Sequence, residues 1–196
     1  YRLSAEALFP AQLHDVKAAI RWLRAYAADL GLDTGRLALW GESAGGHLVA
    51  LAGLTADASL EGDVGLTGVS SAVHAVVDWY GVSDILAMGG NRADSPSAQL
   101  LGGPPAQARE LAILASPTEH AHADAPPFLC MHGVADQVVP YSQSEHLAAM
   151  LHAYGARCDL YPVPGADHIF EGAADVAALI EASVDFLDDV LKPGRR

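Results

Sequence analysis

Four short apolar runs, at 37–40, 73–80, 128–131 and 157–163, are separated by segments whose apolar residues recur at helical spacing. That alternation narrows the possible folds more than any other feature of the chain. A run such as Leu37-Ala38-Leu39-Trp40 is apolar at every position and is bounded by Gly41. It lacks the in–out alternation of a strand with one wet face, so it predicts a strand buried on both faces. Buried strands joined by helices imply a parallel sheet, because a parallel crossover needs a connecting helix and that helix covers a face. The expected fold class is α/β, a mostly parallel sheet with helices on both faces, in a single domain over 1–196.

The helical segments carry their own start and stop signals. Between 10 and 30, Leu13, Val16, Ile20, Leu23, Ala27 and Leu30 form one stripe, with Pro10 near the first turn and Gly31 as a stop. A second helix is expected from 44 to about 54. Ser142-Gln143-Ser144-Glu145 has capping-box spacing and opens a helix carrying Leu147, Met150, Leu151 and Tyr154, which ends at Gly155. The last helix places Val176, Leu179, Ile180, Val184, Leu187 and Leu191 on one stripe, with Pro193 after it. The stretch 81–127, rich in Gly, Pro, Ser and Ala, breaks this rhythm. It is expected to form loops and short helices over the sheet edge where chemistry takes place.

Composition removes several function classes. The 196 residues are 51% apolar, enough for a core and too much for a disordered chain. No charge-free apolar run reaches the roughly 18 residues that a membrane span needs. Lys plus Arg number 11 against 24 for Asp plus Glu, and the formal charge of −13 repels a phosphate backbone, so no nucleic-acid partner is expected. Cys130 and Cys158 both fall in apolar, strand-like runs and read as buried thiols, not as a disulfide framework. The nine histidines raise the question of a metal, but no His-x-x-x-His or Cys-x-x-Cys pair is present. His120 with His122 is too little for a site, and no metal is expected.

Gly41-Glu42-Ser43-Ala44-Gly45 matches G-x-S-x-G, and its context is stronger evidence than the string. A buried strand precedes it and a helix follows, the setting that a nucleophile elbow requires. The turn is too sharp for side chains on either flank, so Gly41 and Gly45 are expected to leave room for backbone and substrate. The helix N-terminus behind Ser43 favours developing negative charge. A serine hydroxyl needs a base. His14, His146 and His152 sit on expected helices. His47 lies one turn beyond Ser43 and should pack behind the elbow, His74 is mid-strand and reads as a core residue, and His132 ends a strand and could brace the following turn. His168, in Val163-Pro164-Gly165-Ala166-Asp167-His168, follows the last strand on the edge where the elbow lies, and it is the candidate base. The base needs an orienting carboxylate. Asp84 follows an earlier strand, Asp124 precedes one, and Asp167 is too close in sequence to bridge to His168 comfortably. Asp136, after the run at 128–131, alone gives the order Ser, Asp, His with each residue at a strand's exit.

These stretches together resemble the α/β-hydrolase superfamily. Gly41-Glu42-Ser43-Ala44-Gly45-Gly46-His47 looks like the elbow of its carboxylesterase and hormone-sensitive-lipase-like branch. The stretch from Met131 through Asp136 to Pro140 resembles the acid motif H-G-x-x-D-x-x-V-P, and Gly165 to Phe170 resembles the histidine motif G-x-x-H-x-F. With Tyr1-Arg2-Leu3-Ser4 and Phe9-Pro10-Ala11-Gln12 included, the pattern is similar to bacterial feruloyl-esterase-like and acetylesterase-like hydrolases. Asp167 and Ile169 depart from it, standing where glycine is common. The resemblance implies acyl transfer from a small-molecule ester to water: Ser43 attacks, His168 shuttles the proton, Asp136 fixes the imidazole and the Ala44 N–H is one oxyanion donor. It implies no cofactor. The H-G-G-type loop that supplies further oxyanion donors in such enzymes is not found. Tyr1 resembles the end of the strand after that loop, so by resemblance the chain holds the last four strands of an eight-stranded sheet. The edge at 37–40 would then be open to pairing with another chain, and a homo-oligomer is one expected outcome. Two rival readings are a prolyl-oligopeptidase-like peptidase and a fragment that keeps the triad without a working oxyanion hole.

Overall fold

The computed structural model describes residues 1–56, 60–89 and 92–192. Four strands, β1 (Ala38–Glu42), β2 (Ala75–Trp79), β3 (Phe128–Gly133) and β4 (Cys158–Val163), pair in that order and are all parallel. The helices are α1 (Ala11–Ala25), α2 (Ala27–Leu30), α3 (Ala44–Leu54), α4 (Pro96–Leu101), α5 (Arg109–Leu114), α6 (Ser142–Ala153) and α7 (Val176–Leu191). Side-chain alternation along β2 and β3 divides the core in two. Val76, Phe128 and Cys130 pack with Leu13, Leu48, Leu51, Leu147 and Leu151 from α1, α3 and α6. Ala75, Val77, Trp79, Leu129 and Met131 pack on the other face with Leu179 and Phe186 of α7. Cys130 and Cys158 are buried free thiols.

Burial on both faces holds for β2 and β3, every residue of which is buried. It does not hold for the two edge strands: the residues of β1 are partly or well exposed, with Trp40 at 38%, and β4 buries only Cys158 and Val163, with Asp159, Tyr161 and Pro162 exposed. Among the described residues β1 has a strand neighbour on one side only, so half of the surroundings a central strand would have are missing.

Three helices differ from the expected pattern. The 10–30 segment breaks at Tyr26, where ψ turns to 16°, and ends as expected at Gly31 in the left-handed region (φ 65°). Leu13 and Ile20 are buried, but Leu23 and Leu30 are exposed, while Lys17 and Arg21 are fully buried. The irregular chain between 60 and 72 lies on this side of α1, and its carbonyls have no ladder partners. Arg21 supplies donors to the carbonyls of Glu61, Val64 and Leu66 and pairs with the Glu61 carboxylate at 2.6 Å. Burial tends to raise the Glu61 carboxyl, but the Ser71 and Arg21 hydrogen bonds and the Lys17 and Arg21 charges outweigh it and hold it below the ordinary value. The capping box at Ser142 does not form. The turn is already helical at Tyr141, which accepts from Ser144 and Glu145, so Ser142 lies inside the first turn. On α7, Leu179, Ser183 and Phe186 face inward and Val176, Ile180 and Val184 face outward. Ser183 is buried because the Trp79 indole N–H donates to its hydroxyl (3.1 Å), which in turn donates to the Leu179 carbonyl. Pro193 lies outside the described residues.

Candidate active site

Ser43 is the hinge between β1 and α3. Its backbone sits at φ 51°, ψ −115°, and its N–H bonds the Trp79 carbonyl at the end of β2 (2.9 Å). A non-glycine residue at positive φ is strained, and here the strain turns the hydroxyl out of the strand's path. Gly41 is what permits the turn: a Cβ there would lie 2.3 Å from the Gly45 carbonyl oxygen. The expected steric need at Gly45 is not found, since a Cβ there meets nothing within 4 Å and its φ is not positive. Gly41→Ala should therefore cost at least about 2 kcal/mol by forcing backbone apart, while Gly45→Ala should leave the thermal midpoint near that of the parent. Equal midpoints for the two variants would contradict this account of the turn.

The turn brings three distant side chains into series. Ser43 Oγ lies 3.0 Å from His168 Nε2, and His168 Nδ1 lies 2.8 Å from Asp136 Oδ2. Asp136 follows β3 and has a fully buried side chain, and His168 follows β4 and is 16% exposed at its side chain. The other Asp136 oxygen accepts from the backbone N–H groups of Val138 and Val139, each at 2.8 Å. Ala44 is the first residue of α3, so its N–H belongs to the first helical turn, which lacks intrahelical acceptors.

The other candidates are elsewhere. His47 is buried and bonded through Nε2 to the Ala115 carbonyl (2.7 Å), which ties α3 to the 81–127 stretch. His74 is not a core residue: it precedes β2, is exposed and touches the Leu37 backbone. His132 does brace the turn after β3, through the Val139 carbonyl (2.8 Å) and Ser144 Oγ (2.7 Å). Asp84 Oδ1 accepts from Ala87 N, and Asp124 lines a cleft with His74 and His122 where β2 begins, at the other end of the strands from Ser43. His14 is half-buried, and His146 and His152 are exposed on α6. Among the described residues, no group of three or more His, Cys, Asp or Glu could hold a metal ion, and no helix is long and apolar enough to cross a membrane.

Four side chains around the site went unassigned in the sequence. Asp167 Oδ1 accepts from both Gln137 N (2.8 Å) and His168 N (2.7 Å), clamping the acid and histidine loops together. Those hydrogen bonds hold its carboxyl below the ordinary value. Ser144 supports His132. Tyr80 packs edge-on against His168 at 4.9 Å and donates to Glu42 Oε2 at 2.9 Å. Burial and the Glu42 carboxylate push its phenol well up, so it stays a donor. Asp78, the one charge in β2, is buried beneath α3; burial pushes it up to about 7 against the pull of the Gly81 N–H. A single Asp inside an otherwise apolar strand was its visible signal. The departure at Ile169 also finds its reason: Ile169 stands at φ 56°, in the left-handed region that glycine occupies freely.

The BD-FAE family model matches residues 1–151, more than half of the chain. The chain belongs to the BD-FAE family. The match takes in Ser43 and Asp136 and stops short of His168. Longer likenesses cover the whole fold. Esterase LipQ of Mycobacterium tuberculosis is 36% identical over 100% of this chain and 47% of its own length. The probable carboxylic ester hydrolase LipM of the same organism is 32% identical over 97% and 46%. This BD-FAE chain thus spans about half the length of the curated relatives it matches. Among solved structures, a truncated carbohydrate esterase from gut microbiota superposes with a TM-score of 0.88 at 35% identity, covering 96% of this chain and 71% of that one. Esterase 2 of Thermogutta terrifontis superposes with a TM-score of 0.74 at 31% identity, covering 94% and 66%. The sheet and its covering helices are those of the α/β-hydrolase fold.

Proposed function

We propose that this BD-FAE chain carries the catalytic machinery of a serine esterase acting on carboxylic esters of small acyl or carbohydrate-type substrates, with Ser43 as nucleophile, His168 as general base and acid, and Asp136 as the orienting carboxylate. The observation that carries this reading is the unbroken series Ser43 Oγ–His168 Nε2–His168 Nδ1–Asp136 Oδ2, at 3.0 and 2.8 Å. Asp136 accepts from Nδ1, so Nδ1 holds the proton and Nε2 is free to take one from Ser43. As Ser43 Oγ bonds to the ester carbonyl carbon, its proton passes to His168 Nε2, and the carbonyl oxygen becomes an oxyanion next to the Ala44 N–H. Collapse expels the alcohol, which takes the proton from His168. Water then attacks the acyl-enzyme, giving its proton to His168, and the acid leaves as Ser43 recovers its hydroxyl proton.

A cleft of about 200 Å³ reaches Ala44 and is walled by Val82, Ile85, Ser97 and Leu100. It is small beside usual ligand sites, and Tyr1, Arg2, Leu3 and Ser4 line it opposite the residues of the 81–127 stretch. The names of the relatives and structural neighbours support an ester over an amide substrate. The chain should hydrolyse 4-nitrophenyl acetate and leave an aminoacyl anilide intact, with a fluorophosphonate probe labelling Ser43. Preference for the anilide would replace this reading with a peptidase, and labelling without turnover would mark a chain that keeps the triad without a working oxyanion hole.

A further inference from the structure

Asp136 is held from a direction that the Ser–His–Asp series does not use. His132, at the end of β3, is completely buried, and its Nε2 lies 3.2 Å from Asp136 Oδ2, the oxygen that also faces His168. The same Nε2 lies 2.8 Å from the Val139 carbonyl oxygen, which can only accept. Nε2 must therefore carry a hydrogen, which it donates to Val139 O, with Asp136 Oδ2 standing beside that N–H at 3.2 Å. That leaves Nδ1 bare, and at 2.7 Å from Ser144 Oγ it accepts the serine hydroxyl hydrogen. Burial holds the His132 imidazole below its ordinary value, so the ring stays neutral with this one tautomer. One carboxylate oxygen thus accepts the N–H of the base and faces, at 3.2 Å, the N–H of a second imidazole that does not reach Ser43.

Resting on the triad reading above, we propose that His132 is a positioning residue for the acid: its Nε2–H, fixed by the Val139 carbonyl and braced from Nδ1 by Ser144, lies 3.2 Å from Asp136 Oδ2, keeps that oxygen in line with His168 and draws electron density from it. Without this donor, Oδ2 is freer to swing and carries more charge towards His168, so His168 binds its proton more tightly and is a weaker shuttle at neutral pH. The other titratable groups around the two rings are Asp167 beside His168, Tyr80 with Glu42 across its face, and Tyr141 with Glu145 on the α6 side of His132. Tyr80 and Tyr141 also pack edge-on against the His132 ring, so a substitution at 132 removes those two ring contacts as well.

Two isosteres separate the two sides of the His132 ring. His132→Asn keeps an acceptor for Ser144 where Nδ1 stood but has no donor at the Nε2 position. His132→Gln places an amide N–H near the Nε2 position. His132→Asn should lower kcat about 10-fold with KM within about 2-fold, and should move the acid limb of the kcat/KM profile up by at least half a pH unit. His132→Gln should recover most of the rate and the parent profile. Nuclear magnetic resonance titration of the His168 ring reads the same shift without turnover. It keeps this test distinct from failure of the esterase reading, which would show as absent hydrolysis in the parent chain. In the parent protein, the nitrogen shifts of His132 should report the Nε2–H form. A His132 protonated at Nδ1, or an Asn variant that loses thermal stability while its profile and its His168 titration stay in place, would overturn the proposal. If the Asn variant does not fold, Ser144→Ala tests the same lock. It removes the brace at Nδ1 while the Val139 carbonyl still holds Nε2–H, so it should shift the acid limb in the same direction by a smaller amount, and an unmoved limb counts against the role.

Discussion

Ser43→Ala should reduce ester turnover on the order of 10⁶-fold, to background, because the series loses its only bond-forming atom. The substitution removes one oxygen and little else. The Ser43 N–H bond to Trp79 is a backbone bond and survives, and alanine at φ 51° carries strain comparable to that of serine. The thermal midpoint should therefore stay within about a degree, and the loss can be assigned to chemistry. Initial rates on 4-nitrophenyl acetate, with fluorophosphonate labelling of the same samples, provide the measurement. Retained turnover or retained labelling would remove Ser43 from its role.

Asp136→Asn should cost about 10⁴-fold in kcat, the scale set by an imidazole held in the wrong tautomer. The neighbours of Asp136 decide which way the new amide points. Val138 N and Val139 N both donate to Oδ1, so the amide oxygen must occupy that side. The amide N–H₂ then stands where Oδ2 stood, facing His168 Nδ1 at 2.8 Å and His132 Nε2 at 3.2 Å. His168 can satisfy it only by presenting a bare Nδ1, which moves its proton to Nε2 and blocks transfer from Ser43. On the other side, the N–H₂ meets the His132 N–H donor to donor. A variant with near-parent kcat would show that the carboxylate does not set the tautomer.

Much of this arrangement was legible in the residues, for reasons specific to each element. The 128–131 run is apolar throughout because β3 lies between two strands and two helical layers, so periodicity reported its burial faithfully. The elbow was legible because Gly41, Ser43 and the following helix answer a local constraint, a turn in which one Cβ would strike the Gly45 carbonyl. His168 and Asp136 could be picked out by where they follow strands, since a parallel sheet sends every strand's exit to one edge. The failures share a cause. The burial of Trp40 depends on having a neighbour on each side. The inward turn of Lys17 and Arg21 depends on a loop some 40 residues away that needs donors. The capping box at Ser142 gave way to a turn that began at Tyr141. The inward face of α7 follows Ser183 because Trp79 needed an acceptor.

The pattern of apolar periods and strand exits was enough to specify a parallel α/β layer and to bring Ser43, Asp136 and His168 to one edge, because local sterics and the direction of the strands require nothing from afar. The contacts that tune that edge are of another kind. The Asp167 clamp on two loops, the Tyr80 ring against His168 and the His132 N–H bonded to Val139 beside Asp136 join atoms that are far apart in the chain or lie in turns of unpredictable path. Hydrogen-bond partners are chosen within about 3 Å of space, and sequence spacing carries no record of that distance until the chain has folded.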